Sequence, residues 1–246
     1  MNSRQMNSSF SFERVILLCK RYLAIKQNMI LIGVSAMMGL LVLTYVGMIY
    51  FDPVNLQLTG SINVMTFAFI IFKYSGYGLA STMFYELNSK GSAPQFFTLP
   101  SNAFEKLVSA WLVSYVSYTI VGFCALYSFS LIVGKDPALF FSKQTLNELI
   151  IYSIGHSVYF FGAIYFKANN FLATLVSLIS LFAIFMLSGY LIDTFVPGID
   201  HSMRKFVSLF DNPFFNSSFG NLLLIVGLSG FFIWMSLVRL KNRQIA

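Results

Sequence analysis

The sequence is poor in the residues from which most enzymes and soluble binding domains are built. Charged residues fill 10% of 246 positions, and cysteine and histidine occur twice each, whereas an ordinary soluble domain is about 25% charged. Cys19 and Cys124 are too few for a disulfide-stapled secreted scaffold. His156 and His201 fall on different segments with no cysteine beside them, so no metal-ligand spacing is present. No G-x-x-x-x-G-K-[ST] loop occurs, because Gly134-Lys135 is followed by Asp136 and lacks the upstream glycine. Gly155-His156-Ser157 sets a base beside a serine in sequence, but neighbours on a helix point about 100° apart. No apolar run has an acid at its centre, so a paired-carboxylate protease is excluded too. The chain reads as a non-enzyme with no cofactor of its own.

Apolar surface is what the sequence has in excess. Hydrophobic residues reach 57%, aromatics 17%, with 28 Phe and 13 Tyr, and the mean hydropathy is +0.73. Disordered chains are the opposite, rich in charge and poor in aromatics. These values define an all-α integral membrane protein. The net charge of +7 forms no basic groove or recognition motif for nucleic acid and instead reads as topogenic.

A membrane span needs about 20 mostly apolar residues. Six runs qualify, at 29–51, 62–84, 107–133, 146–166, 171–192 and 218–238. Counted by loop, eleven Lys and Arg fall on the side of both termini and four on the other, with Lys73 left inside the second run. The positive-inside rule therefore makes both termini cytoplasmic. The basic start is too long for a cleaved signal, and no small-x-small site follows the first run. Residues 10–26 carry Glu13, Arg14, Lys20 and Arg21 opposite Val15, Ile16, Leu18, Cys19, Tyr22 and Leu23. That pattern is expected to form an amphipathic helix lying flat in the headgroup layer. The loop 193–217 stays apolar (Phe195, Phe206, Phe210, Phe214) and is expected to dip back into the outer leaflet as short helices. The whole chain, 1–246, reads as one transmembrane domain.

Two groups of residues stand out within this frame. Lys73, in Phe72-Lys73-Tyr74-Ser75-Gly76-Tyr77-Gly78, is an intramembrane charge with no acid at membrane depth to neutralise it. It is either a cation facing a pathway or a snorkelling structural lysine. His156 is either a packed core histidine or a pathway residue. Gly76, Gly78, Gly39, Gly155 and Gly162 are expected where helices approach closely. The loop after the second run is the other group. Asn102 and Glu105 form a capping box that starts the third helix, and Phe96, Phe97 and Leu99 lie just before it, apolar residues expected to seek a partner surface.

Leu99-Pro100-Ser101-Asn102-Ala103-Phe104-Glu105-Lys106-Leu107, with Ser109 and Trp111-Leu112 after it, resembles a signature of permeases of the ABC transporter type-2 exporter family. Asn102 stands where that pattern has a capping serine. The rest of the chain is similar in architecture, with an elbow helix at 10–26, a coupling helix in 85–106 and a half-inserted helical loop at 193–217. The resemblance implies that Phe96, Phe97 and Leu99 dock into a separate ATP-binding-cassette ATPase, with Glu86, Lys90 and Glu105 at the rim. ATP and Mg would then belong to that partner, and a second permease copy or relative would complete the assembly in the inner (cytoplasmic) membrane. It also implies a pathway among the first, second and fifth spans, for which Lys73, Tyr77 and His156 are the candidate lining. A lipid, an amphipathic peptide or a drug is the implied substrate. A membrane scaffold or assembly protein is the alternative, followed by an intramembrane enzyme.

Overall fold

The computed structural model describes residues 10–51, 60–88, 91, 93–132, 143–195 and 218–245. Every regular element among them is helical. In chain order they are α1 (Phe12–Phe51), α2 (Gly60–Thr82), the short α3 (Tyr85–Asn88) and α4 (Ala93–Thr98), α5 (Ala103–Trp111), α6 (Tyr118–Ile132), α7 (Lys143–Tyr165), α8 (Asn170–Phe195) and α9 (Ser218–Ile245). A π-helical stretch, Leu112–Ser117, joins α5 to α6 without a break. Among the described residues three helices are long and apolar enough to cross a membrane: Phe12–Gly47, Ala103–Ile132 and Asn170–Ser188. The loop 193–217 lies outside the described residues from position 196 onward.

The segment 10–26 does not form a separate flat helix. It continues into the first apolar run as one helix of 40 residues, Phe12–Phe51, about 60 Å long at 1.5 Å per residue. No proline precedes Pro53 and no glycine precedes Gly33, so nothing in the chain breaks the hydrogen-bond ladder. At about twice the thickness of a bilayer core, α1 extends well beyond any hydrocarbon layer it crosses. Its buried residues Val15, Leu18, Tyr22 and Lys26 recur at helical spacing and face protein, while Ile16 and Leu23 of the expected apolar face are exposed.

Helix α2 packs on α1 and α7, and α7 packs in turn on α8 and α9. Association within lipid cannot rely on hiding oil from water and depends instead on close packing at small residues. Four glycines among the described residues meet that need: Gly122, where a Cβ would enter the Phe72 ring, and three of those expected from the sequence. A Cβ on Gly76 would sit 2.6 Å from the Tyr152 ring, one on Gly155 would enter the Tyr77 hydroxyl, and one on Gly162 would enter the Thr174 hydroxyl. Gly39 and Gly78 have no atom within 4 Å of such a Cβ, so these two do not mark helix contacts. The centre of the packing is Phe72, fully buried, stacked 5.2 Å from Tyr118 and tilted against Tyr152 at 4.9 Å. Helices α7 and α8 form the expected tight hairpin. Asn169 supplies its left-handed residue (φ 48°) and the Asn170 amide donates to the Ala163 carbonyl at 3.1 Å.

Filling a close contact forces strain of roughly 1–3 kcal/mol. Gly155→Ala is therefore expected to lower the unfolding temperature of the detergent-solubilised chain, while Gly39→Ala leaves it unchanged. Equal effects of the two substitutions in a thermal melt would contradict this packing.

Candidate functional site

The loop between α2 and α5 is bound into the structure by three arginines. Arg14 of α1 donates to Glu105 Oε1 through Nε (3.1 Å) and Nη2 (2.8 Å). Two turns on, Arg21 Nη2 donates to both Glu86 oxygens at 3.2 and 3.0 Å. From the far end of the chain, Arg243 of α9 donates to Asn88 Oδ1 at 2.8 Å, and the Asn88 amide donates to the Phe166 carbonyl at 2.9 Å. The capping box expected from the sequence is present: Glu105 N–H donates to Asn102 Oδ1 at 2.7 Å and Asn102 N–H to Glu105 Oε2 at 3.0 Å. Glu105 Oε1 also accepts from the Ser11 N–H at 2.9 Å. This carboxylate is fully buried, and its hydrogen bonds to charged and backbone donors offset the cost of removing it from water.

That geometry corrects part of the expected docking surface. Phe96 is fully buried, 6.3 Å ring to ring from Phe84, and the Lys106 ammonium lies 4.9 Å above its ring. Glu105 is equally inaccessible and Glu86 is held by Arg21, so neither Phe96 nor Glu105 can contact a partner at a rim. The reason is the turn of α4, which aims Phe96 at the α2–α5 junction. Phe97 and Leu99 remain half-buried, and Lys90 lies outside the described residues. The apolar residues that do face outward here are Phe104 (47% exposed), Phe10 and Phe12, with Phe10 and Phe104 in ring contact at 5.8 Å. Phe104 lies inside the capping box, between Asn102 and Glu105, on the first turn of α5. The box is legible in the sequence, but which face is covered is not.

The three candidate pathway residues are brought to one interface, between α2, α7 and the π-helical stretch. Lys73 Nζ donates to Glu148 Oε2 at 2.6 Å, with both side chains largely buried. The expectation of an unneutralised lysine is therefore overturned: α7 begins at Lys143, five residues before Glu148, and runs parallel to α2. Tyr77 is stacked between Tyr152 (5.8 Å) and Tyr159 (4.9 Å). His156 is fully buried, shares a 3.1 Å hydrogen bond with the Ser114 hydroxyl and touches the Tyr115 ring at 5.1 Å. Ser114 and Tyr115 lie on the π-helical stretch, a form of helix with a wider turn than the α-helix. Rings continue on either side, from Trp111 through Tyr115 to Tyr152 and from Tyr159 to Phe171.

A cavity of about 670 Å³ lies on the other side of α2, and none of these three residues lines it. Its walls come from α1 (Met29, Gly33, Met37, Leu40), α2 (Tyr74, Ser75, Gly78) and Phe171 of α8. It lies among the first, second and fifth apolar runs. Lys73, Tyr77 and His156 do not line it: Lys73 and Tyr77 lie on the α2 face that packs on α7, and His156 lies on α7 against the π-helical stretch. Among the described residues no group of three His, Cys, Asp or Glu gathers as a metal site would require. No protein-family model, curated protein sequence or solved structure matches this chain.

Leaving a largely buried ammonium without its carboxylate costs roughly 1–3 kcal/mol or more. Glu148→Gln is accordingly expected to lower the unfolding temperature more than Lys73→Met/Glu148→Gln together. Additive losses in a double-mutant cycle of thermal melts would show that the pair carries no coupling.

Proposed function

We propose that this chain is the membrane-spanning permease subunit of an ATP-driven exporter. In this reading it has six spans with both termini in the cytoplasm of an inner-membrane cell face. It pairs with a second permease and with separate ATP-binding-cassette ATPases that hold the ATP and Mg. The observation that carries the reading is the joining of the 85–106 loop to α1 through Arg14–Glu105 and Arg21–Glu86. A loop tied at both ends to the longest helix is built to pass displacement into the membrane. The exposed rings of Phe10, Phe12 and Phe104 beside it offer an apolar surface to a partner, as isolated exposed rings on a soluble face would not.

Closure of the ATPases on ATP would draw two such loops together. Because α1 follows the loop, the helices lining the cavity would change their spacing, shifting the population from an inward-open to an outward-open arrangement. The cavity walls are almost wholly apolar, which favours a hydrophobic or amphipathic cargo over an ion. The family resemblance of the 99–112 segment rests on its residues alone and supports the same reading.

The test is purification of the tagged chain from its native membrane. An ATP-binding-cassette ATPase is expected to accompany it, and Phe104→Asp is expected to reduce that association at least tenfold without changing the chain's own melt. A wild-type chain that brings down no such ATPase would overturn the proposal, and undiminished association of Phe104→Asp would overturn the docking surface.

A further inference from the structure

A buried cation, Lys26, lies close to one end of the cavity between α1 and α2. Along α1 the positions 26, 30, 33, 37 and 40 fall three or four apart and so share one face, with 29 beside 30 and a turn from 26 and 33. All but the first line the cavity. Lys26 heads the same stripe one turn earlier and is only 5% exposed. Its ammonium touches the Met29 sulfur at 3.9 Å, which itself lines the cavity, and lies 5.8 Å from the centre of the Tyr85 ring. These are a thioether and a ring; the neighbouring carboxylate, Glu86, is already held by two bonds from Arg21.

The rest of the cavity matches a hydrocarbon chain. From Met29 to Leu40 it follows α1 for eleven residues, about 16 Å at 1.5 Å each, against about 15 Å for half a bilayer core. Its volume of about 670 Å³ falls within the range of small-molecule sites. Three of the four hydroxyls in its walls are satisfied internally. Ser75 Oγ donates to the Ile71 carbonyl at 2.8 Å, Thr82 Oγ1 to the Leu79 carbonyl at 2.9 Å, and Tyr118 OH to the Phe72 carbonyl at 2.9 Å. The fourth belongs to Tyr74 at the exposed rim, so the interior of the cavity offers little to a hydrophilic cargo. Ile32, Leu40 and Tyr74 at the rim are exposed, leaving a side open through which a chain could enter from the surrounding lipid.

We propose that this groove is a lipid site that holds one acyl chain of an anionic phospholipid, with the headgroup phosphate on the Lys26 ammonium. The inference rests on the membrane placement of α1 and α2 but not on the ATPase partnership.

Gly33 and Gly78 supply a clean way to fill the site, since both line it and neither has an atom within 4 Å of an added Cβ. The purified full chain would be titrated with phosphatidylglycerol and, separately, with phosphatidylcholine, and bound lipid counted by native mass spectrometry. Wild type is expected to retain phosphatidylglycerol about fivefold better, the size one cation gives against anionic lipid. Lys26→Gln should bring that ratio near one and Lys26→Arg should keep it. Gly33→Leu or Gly78→Leu should lose both lipids while the melt is unchanged. Inorganic phosphate alone should not displace the lipid, since the chain supplies much of the hold. A wild-type ratio of one, a ratio unaltered in Lys26→Gln, or undiminished binding in both leucine variants would overturn the proposal. Because the chain is titrated alone, a failure here leaves the ATPase association standing, and the reverse also holds.

Discussion

The Glu105 carboxylate holds together three parts of the chain that would otherwise be independent. One oxygen accepts the Asn102 N–H and closes the capping box that starts α5. The other accepts the Ser11 N–H and two donors of the Arg14 guanidinium. A fully buried carboxylate is tolerable only with such a complement of donors. Satisfying it fixes the start of α1, the start of α5 and the loop between α2 and α5 in one geometry. The burial of Phe96 and Lys106 against each other follows, because α4 has no freedom to swing outward once its C-terminal neighbour is fixed.

From that anchor the remainder of the fold can be traced into the membrane. Helix α1 carries the loop's position past Lys26 to the cavity walls. The run from α5 through the π-helical stretch carries it to Ser114 and Tyr115, and so to His156 and Tyr152 of α7. The two routes meet at Phe72 and Tyr118. A displacement at the loop thus has two packed, hydrogen-bonded routes into the bundle, the physical requirement for coupling between distant sites. Lys73 and Glu148 pin α2 to α7 on the face away from the cavity.

What could be read from the sequence was whatever is local or repeats along one helix. The Asn102–Glu105 box is a contact three residues long, and the apolar runs at 62–84, 146–166 and 171–192 fall close to α2, α7 and α8. The Lys73–Glu148 pair was hidden because it joins positions 75 apart and depends on where α7 starts. The continuity of α1 was written in the lack of proline and early glycine, yet the basic pattern of 10–26 suggested a headgroup helix, because arginines destined for Glu105 and Glu86 look the same as arginines destined for lipid phosphate. Phe96 and Phe104 illustrate the same limit: both are apolar residues beside a cap, and only the packing of α4 decides which is covered.

The central claim is that Glu105 makes the loop and α1 one mechanical unit. Amide hydrogen exchange of Glu105→Gln against wild type, in the same detergent or nanodisc, tests it directly. If Glu105 joins the loop to α1, protection falls together over residues 12–24 of α1 and over α4, with α8 unaffected. Loss confined to the first turn of α5, with the amides of α1 as protected as before, would contradict it.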